Sequence, residues 1–337
     1  MKNRFWQLNA NPEGTDFAAA LSLEESAIPE PAEGEVLIEN QMLSLDAGTR
    51  MWMTSRTDGY QPPIPLGSPV AGLALGRVIE SKDPNFQQGE LVRTFGQWAD
   101  YSLVRPELSD LRQMNKDVAD PRQHFGVLGM NGWTALWGLT ETAKAQADDT
   151  VVISAAAGAT GILACQIAKI LGCSVYGIAG GPEKCRYLME TYNLDGAIDY
   201  KAGDIDGALA AIPGGIDVYF DNVGGPILEA VLPNMVHYGR VAICGALAGY
   251  DDSQAPKGPA TFDQILMKRL TVTGFFSPDF SDQGDRLTAQ LMTWLDAGLI
   301  DIPFDTTHGL ENVLTAYEKL FTGGNIGKVI VDLGASS

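Results

Sequence analysis

Basic residues are scarce in this chain: 23 lysines and arginines stand against 42 aspartates and glutamates, a formal net charge of −19 over 337 residues. A surface of that sign repels phosphate backbones and anionic headgroups, which excludes nucleic acid and membrane as general partners. It leaves room for a local cationic pocket, for which Lys184 and Arg186 are candidates. Cysteine is also scarce, and the 4 present, Cys165, Cys173, Cys185 and Cys244, include no C-x-x-C pair. The 3 histidines, His124, His237 and His308, are far apart, so no metal site is expected, structural or catalytic. The thiols read as reduced, mostly packed groups of a cytoplasmic protein. No apolar run reaches the roughly 18 residues of a membrane-spanning helix. The opening Met1-Lys2-Asn3-Arg4-Phe5-Trp6-Gln7-Leu8 lacks the apolar stretch and cleavage site of a secretory signal. There is no internal repeat and no low-complexity linker, and 45% apolar with 19% charged residues describes a globular chain long enough for two cored domains.

What the chain does contain is a short apolar run that breaks into small residues: Val151-Val152-Ile153-Ser154-Ala155-Ala156-Ala157-Gly158-Ala159-Thr160-Gly161. The spacing is that of the dinucleotide fingerprint G-x-G-x-x-G with Ala156 in first place. Gly158 would let the backbone approach a pyrophosphate, and Gly161 would let helix and strand pack closely. The first N–H groups and the dipole of the helix that follows would favour an anion. An ordinary tight strand-to-helix turn has the same texture, so the context has to decide between them.

That context is an alternation of strands and helices. Ile162, Leu163, Ile167, Ile170 and Leu171 recur at helical spacing, and residues 174–179 read as a buried parallel strand. A helix fits 182–192 with Pro182 in its first turn. Further strands fit 197–199, 216–220, 240–243 and 270–275, with helices near 206–211 and 226–235. This pattern predicts a doubly wound α/β domain with its ligand crevice at the carboxyl ends of the strands. The second strand ends in Gly180-Gly181 rather than in the acid that holds a free ribose 2′-hydroxyl. Lys184, near the start of the next helix, is placed to reach a 2′-phosphate, so NADPH is the expected cofactor. Glu183 as a ribose ligand and Lys184 as a solvated lysine are the competing readings.

Before residue 125 the texture is β-rich, with strands at 35–40 and 71–80 and another beginning near 88. After residue 300 come a helix at 310–321 and a strand at 328–332, the latter expected to return to the first domain. The cleft between the two lobes is the expected site.

Together, the β-rich lobe, Gly126-Val127-Leu128-Gly129-Met130-Asn131-Gly132-Trp133-Thr134-Ala135, the 156–161 turn, Asp221-Asn222-Val223-Gly224-Gly225 and the closing Asn325-Ile326-Gly327-Lys328 resemble the medium-chain dehydrogenase/reductase superfamily. Within it the chain is similar to the zinc-independent, NADPH-dependent double-bond reductases, the prostaglandin, curcumin and alkenal reductase group. The resemblance spans nearly the whole chain. It implies an α/β protein with a GroES-like β-rich catalytic domain at 1–125 and 307–337 and a Rossmann doubly wound parallel-sheet domain at 126–306. It assigns the pyrophosphate to Gly158, Ala159, Thr160 and Gly161, and the 2′-phosphate end to Lys184 and Tyr200. Further cofactor contacts are implied for Asn131, Thr134, Asn222, Cys244, Gly245, Ala246, Tyr250, Phe275, Phe276, Ser277 and Asn325. By the residues alone, Asn222 could cap the next helix, Tyr200 could be a surface aromatic, and Phe275 could be core.

The implied reaction is reduction of the C=C bond of an α,β-unsaturated ketone or aldehyde. With no metal set and no Ser/Tyr/Lys arrangement in the sequence, direct carbonyl reduction would have little electrophilic help, whereas an activated alkene needs only a donor for its enolate oxygen. Tyr60 is the expected catalytic donor, with Tyr250 as second candidate, and Tyr60 and Arg50 are expected on the substrate side. Tyr60 could instead simply pack on Pro62 and Pro63. Met267 stands about where many relatives carry a site tyrosine, and Gly48 replaces an aromatic in Asp46-Ala47-Gly48-Thr49-Arg50, which would reshape the pocket. Trp52, Trp133 and Trp137 could line that pocket or belong to the core. A homodimer is expected. The alternative functions are an NADPH:quinone oxidoreductase of the same fold and a non-catalytic NADPH-binding protein.

Overall fold

Val151, Val152 and Ile153 are fully buried because the strand they form, Thr150–Ile153, lies inside its sheet with a neighbour on each side. The computed structural model describes residues 2–57, 61–115, 117–250 and 258–334. The described residues fall into two compact units, one within residues 125–303 and the other within 2–124 and 304–334.

The sheet of the first of these units has six parallel strands. Their order is Gly196–Asp199, Ser174–Ala179, Thr150–Ile153, Ile216–Asp221, Met235–Ile243 and Thr271–Gly274. Chain order reverses at Thr150–Ile153, so the switch point of the doubly wound sheet lies at the carboxyl end of that strand, where the small-residue turn begins. Helix Ala159–Ile170 is buried at every position from Gly161 to Ala168. Its one buried amide is satisfied: Gln166 donates to the carbonyl of Asp301 at 2.8 Å and accepts from the Asp301 N–H at 3.0 Å.

Three features of this unit differ from the sequence expectation. The helix expected at 226–235 is Gly225–Val231, followed by the 3-10 turn Leu232–Asn234, because Pro233 has no N–H with which to continue an α-helix. The next strand already begins at Met235, disguised in sequence by exposed Tyr238 and a register shift against its neighbour. Helix Gly284–Asp296, not anticipated at all, buries Leu287 and Leu291 at i, i+4 spacing. Trp133 donates to Thr288 on that helix at 2.9 Å, and Trp137 stacks on Phe280 with centroids 4.4 Å apart, so both tryptophans serve packing.

The second unit is β-rich. A seven-stranded sheet runs Phe304–His308, Lys328–Asp332, Val36–Ser44, Ala71–Ser81, Leu91–Gln97 and Arg112–Gln113, with Tyr101–Val104 also pairing Val36–Ser44. A three-stranded sheet holds Leu21–Ala27, Lys2–Leu8 and Ser68–Pro69. Strand Lys328–Asp332 lies antiparallel to Val36–Ser44, so the chain does return to its first lobe. It re-enters this unit at Phe304 rather than at 307, because the polar strand Phe304–His308 pairs in parallel with Lys328–Asp332. Tyr317, on helix Val313–Thr322, packs against Phe17 and Trp98 with ring centroids 4.8 and 4.9 Å away, which ties the C-terminal helix into the N-terminal core. Trp52 meets Phe95 edge-on at 5.4 Å. Among the described residues no helix is long and apolar enough to cross a membrane.

Candidate cofactor site

The small-residue turn is built by one left-handed residue and one indispensable glycine. Ala155 sits at φ +47°, the Ala156 N–H donates to the Ile178 carbonyl at 3.0 Å, and the Gly158 N–H closes back on the Ala155 carbonyl at 2.9 Å. Gly158, extended at φ −83° and ψ 173°, is the N-cap of helix Ala159–Ile170 and offers no side chain to the first turn. The orphan N–H groups there are therefore left to a ligand or solvent. A Cβ on Gly161 would lie 2.2 Å from the Ala155 carbonyl oxygen and 2.8 Å from the Ala156 Cα, so only glycine allows this approach of helix to strand. Thr160 accepts from the Asn131 side chain at 3.0 Å, bringing two of the expected cofactor residues together, while Thr134 lies half-buried on the same helix as Asn131.

Beside the turn, at the end of Ile216–Asp221, lies a residue whose role sequence reasoning missed. Asp221 is fully buried, and its Oδ1 accepts from the Tyr219 hydroxyl, the Val223 N–H and the Gly224 N–H, each at 2.9 Å, and from the Ser154 hydroxyl at 3.1 Å. Its backbone carbonyl receives the N–H groups of Cys244 at 2.8 Å and Gly245 at 3.0 Å. Ser154 completes the knot, with its hydroxyl accepting from the Asn222 N–H at 2.8 Å and its carbonyl from the Asn222 amide at 2.7 Å. One residue, through its carboxylate and its backbone carbonyl, therefore joins the ends of three neighbouring strands. Burial, outweighing these hydrogen bonds, raises the Asp221 carboxyl above its ordinary value. The available signal was a charged residue ending an otherwise apolar strand, but its partners are set by the sheet order.

The neighbouring segment carries Cys244, Gly245, Ala246 and Tyr250. Burial, with Asp221 adding to it, pushes the Cys244 thiol up to about 12, so it stays protonated and unreactive. The Tyr250 hydroxyl accepts from the Ala246 N–H at 3.2 Å and would lie 2.9 Å from a Cβ on Gly245, which explains the glycine. Phe275, half-buried, packs on Phe220 and leaves no room for a Cβ on Gly138, so one edge of its ring serves packing whatever else it does. Phe276 and Phe275 border an open cavity of about 600 Å³ lined also by Trp137, Lys144, Arg240 and Phe280. That cavity follows the edge strand Thr271–Gly274 and not the glycine turn. Ser277 opens the 3-10 segment that follows.

Beyond the end of the adjacent strand Ser174–Ala179, Gly181 has φ +97° and Asp199 accepts from the Gly181 N–H at 2.7 Å and the Lys201 N–H at 2.9 Å. The Tyr200 hydroxyl would lie 3.0 Å from a Cβ on Gly180. Lys184 is half-buried, and its ammonium is lowered from its ordinary value by burial first and by Lys201 second.

In the β-rich unit, the Asn325 side chain donates to the Gly327 carbonyl at 3.1 Å. Arg50, expected on a substrate surface, is only 1% exposed, with Nη2 donating to the Pro12 carbonyl at 2.7 Å. Lys328 is equally buried and pairs with Asp46, holding the loop that carries Arg50. Met267 is more than half exposed. Tyr60 lies outside the described residues. Among the described residues no three His, Cys, Asp or Glu side chains converge on a metal position.

The site fits a dinucleotide with an additional phosphate: a cradle that a Cβ would fill at Gly161, uncapped amides beside it, glycines where the ribose-selecting acid usually stands, and a lysine in the first turn of the helix that follows. Residues 4–111 match the family model described as N-terminal domain of oxidoreductase, and residues 159–295 the one described as Zinc-binding dehydrogenase. The chain is 34% identical to the NADPH-dependent curcumin reductase of Escherichia coli (strain K12), covering 98% of this chain and 96% of that protein. It is 38% identical to the 2-alkenal reductase (NADP(+)-dependent) of Nicotiana tabacum, covering 90% and 88% respectively. The structure of CurA in complex with NADPH from Vibrio vulnificus superposes with a TM-score of 0.92 at 34% identity over 99% of this chain and 100% of that one. Both the cradle and these relatives lead to the same assignment: the chain belongs to the medium-chain dehydrogenase/reductase superfamily, in its zinc-independent, NADPH-dependent double-bond reductase group.

Proposed function

We propose that this enzyme reduces the carbon–carbon double bond of α,β-unsaturated ketones and aldehydes. The observation that carries this reading is 38% identity to a protein named for 2-alkenals, whose name is the chemical class itself, in a chain that retains the glycine cradle. When bound, NADPH supplies the hydride for the β-carbon. The chain's own part is to hold and to polarise. The 158–161 turn offers its amides to the pyrophosphate, and Lys184 and Tyr200 take the 2′-phosphate. Asn131, Thr134, Asn222, Cys244, Gly245, Ala246, Phe275, Phe276, Ser277 and Asn325 surround the rest of the cofactor.

Tyr60 donates to the substrate carbonyl oxygen, where negative charge develops as the alkene is reduced. Tyr250 is the second candidate, since accepting from the Ala246 N–H polarises its hydroxyl toward donation. Arg50, expected on the substrate side, holds its loop to the segment at Pro12. The test is a panel of enals, enones and quinones with NADPH, the products identified by mass. Saturated aldehydes and ketones are expected. Turnover of quinones alone, or of no acceptor, would refute the proposal. Tyr60→Phe is expected to cost more than about threefold in kcat/KM, roughly 0.7 kcal/mol; a smaller loss removes Tyr60 from the donor role.

We further propose a homodimer. Strand Thr271–Gly274 is the outer edge of the six-stranded sheet, exposed at all four residues, and exposed Phe262, Leu266 and Met267 lie on the segment leading into it. An unpaired edge with apolar flanks is suited to the same edge of a second copy. Light scattering is expected to give twice the 36.0 kDa chain mass, and Val272→Lys to give the monomer. A monomeric wild type at micromolar concentration would refute it. Assignment to the cytoplasm is supported by four free thiols.

A further inference from the structure

We infer that Lys201 selects the cofactor: with Lys184 and the Tyr200 hydroxyl it forms a two-cation seat for a ribose phosphate monoester, and it is the second lysine that makes the site discriminate NADPH from NADH. This rests on the proposed assignment of Lys184 and Tyr200 to the 2′-phosphate.

The seat is assembled by one carboxylate. Asp199 ends strand Gly196–Asp199, and the same oxygen accepts from the N–H groups of Gly181 and Lys201, so the loops that follow two adjacent strands are stapled together. The consequence is visible at Gly180. A Cβ there would lie 3.0 Å from both the Lys201 Cε and the Tyr200 hydroxyl, and 2.9 Å from the Tyr200 ring. Both side chains thus lie over the bare face of Gly180, and the Lys201 ammonium sits over the Tyr200 ring, 6.0 Å from its centroid, while Lys184 stands in the first turn of helix Pro182–Tyr192.

Charge makes the arrangement costly unless an anion is present. Lys184 is half-buried, and its ammonium is lowered first by burial and then by the charge of the exposed Lys201; among the described residues neither lysine is paired with a carboxylate. In a chain with 42 acidic and 23 basic residues, two lysines near enough for one to lower the other, neither paired with a carboxylate among the described residues, oppose the prevailing electrostatics. The nearby acid pairs with neither lysine, and its Oδ1 is committed to two backbone amides. A phosphate monoester, close to dianionic at neutral pH, matches two cations and one hydroxyl donor. A ribose hydroxyl offers them nothing.

The experiment uses the full-length protein and the variants Lys184→Ala, Lys201→Ala, Lys201→Arg and the double alanine. The ratio of kcat/KM for NADPH over NADH is measured for each. Calorimetry with adenosine 2′,5′-bisphosphate, against 5′-AMP, provides a readout independent of turnover. Lys201→Ala is expected to lower the ratio and the bisphosphate affinity about tenfold, as one charge-assisted contact implies. Lys201→Arg should restore most of both, and the double variant should bind the bisphosphate no better than 5′-AMP. A ratio within twofold of wild type for Lys201→Ala, with a large fall for Lys184→Ala, would overturn the inference and leave Lys184 as the selector. An equal loss for NADPH and NADH would overturn it by reducing Lys201 to local structure. If neither single variant separates the two cofactors, the 2′-phosphate reading itself fails.

Discussion

Replacing Gly161 by valine is expected to raise the dissociation constant for NADPH at least about 100-fold. The cause is steric and lies in the backbone. A Cβ at this position would stand 2.2 Å from the Ala155 carbonyl oxygen and 2.8 Å from the Ala156 Cα, and neither atom is the free end of a flexible side chain. Both belong to a turn pinned by the Ala156 N–H on Ile178 and the Gly158 N–H on Ala155. Helix Ala159–Ile170 would have to retreat by about 1 Å, carrying its first amides away from the pyrophosphate, and misplacement on that scale costs on the order of 100-fold. The same movement disturbs a helix buried on all sides from Gly161 to Ala168, so a stability loss of about 2–4 kcal/mol should accompany it. Titration of NADPH fluorescence on protein shown to be folded by circular dichroism checks the first effect, and chemical denaturation the second. Affinity within tenfold of wild type would mean that the turn does not hold the cofactor.

Asp221→Ala should be the most destabilising substitution near the site, at about 3–5 kcal/mol. It strips one buried acceptor from four donors: the Tyr219 and Ser154 hydroxyls and the Val223 and Gly224 N–H groups. With Ser154 released, Asn222 loses the partner that receives its N–H, so NADPH binding should weaken as well. Asp221→Asn keeps the volume and one acceptor oxygen and should recover more than half of the stability.

The two variants also separate by pH. Burial raises the Asp221 carboxyl above its ordinary 3.8, so between that value and the raised one the folded protein keeps a proton that the unfolded chain has released. The contribution of this group is complete below about 3.8 and declines as pH climbs through the raised value. The wild type should therefore lose stability relative to Asp221→Asn across that window. A constant difference would show that Asp221 titrates normally in the fold.

The strand Ser174–Ala179 and the helix Pro182–Tyr192 have the bounds read from sequence, because each is announced by local chemistry: a run of buried apolar residues, and a proline where a missing N–H costs nothing. Phe304–His308 carried no such mark, since its residues are half-buried and largely polar and only pairing with Lys328–Asp332 makes them a strand. Arg50 is the converse case: its place beside a recognisable segment suggested a substrate contact, whereas its burial and its bond to the Pro12 carbonyl, which tie its loop to the segment at Pro12, belong to the tertiary structure.

The glycine turn, the missing ribose-selecting acid and Lys184 followed from residue types and spacing alone, because backbone access, helix dipole and charge are local properties of a few consecutive residues. Asp221 and Lys201 did not. Each matters through partners up to 67 positions away in the chain, Ser154 for Asp221 and Gly181 for the carboxylate that places Lys201. Those partners become neighbours only when the parallel sheet sets the ends of its strands side by side. Spacing along one segment is written in sequence, whereas adjacency between segments is fixed by strand order and by the cost of leaving a buried polar group unpaired.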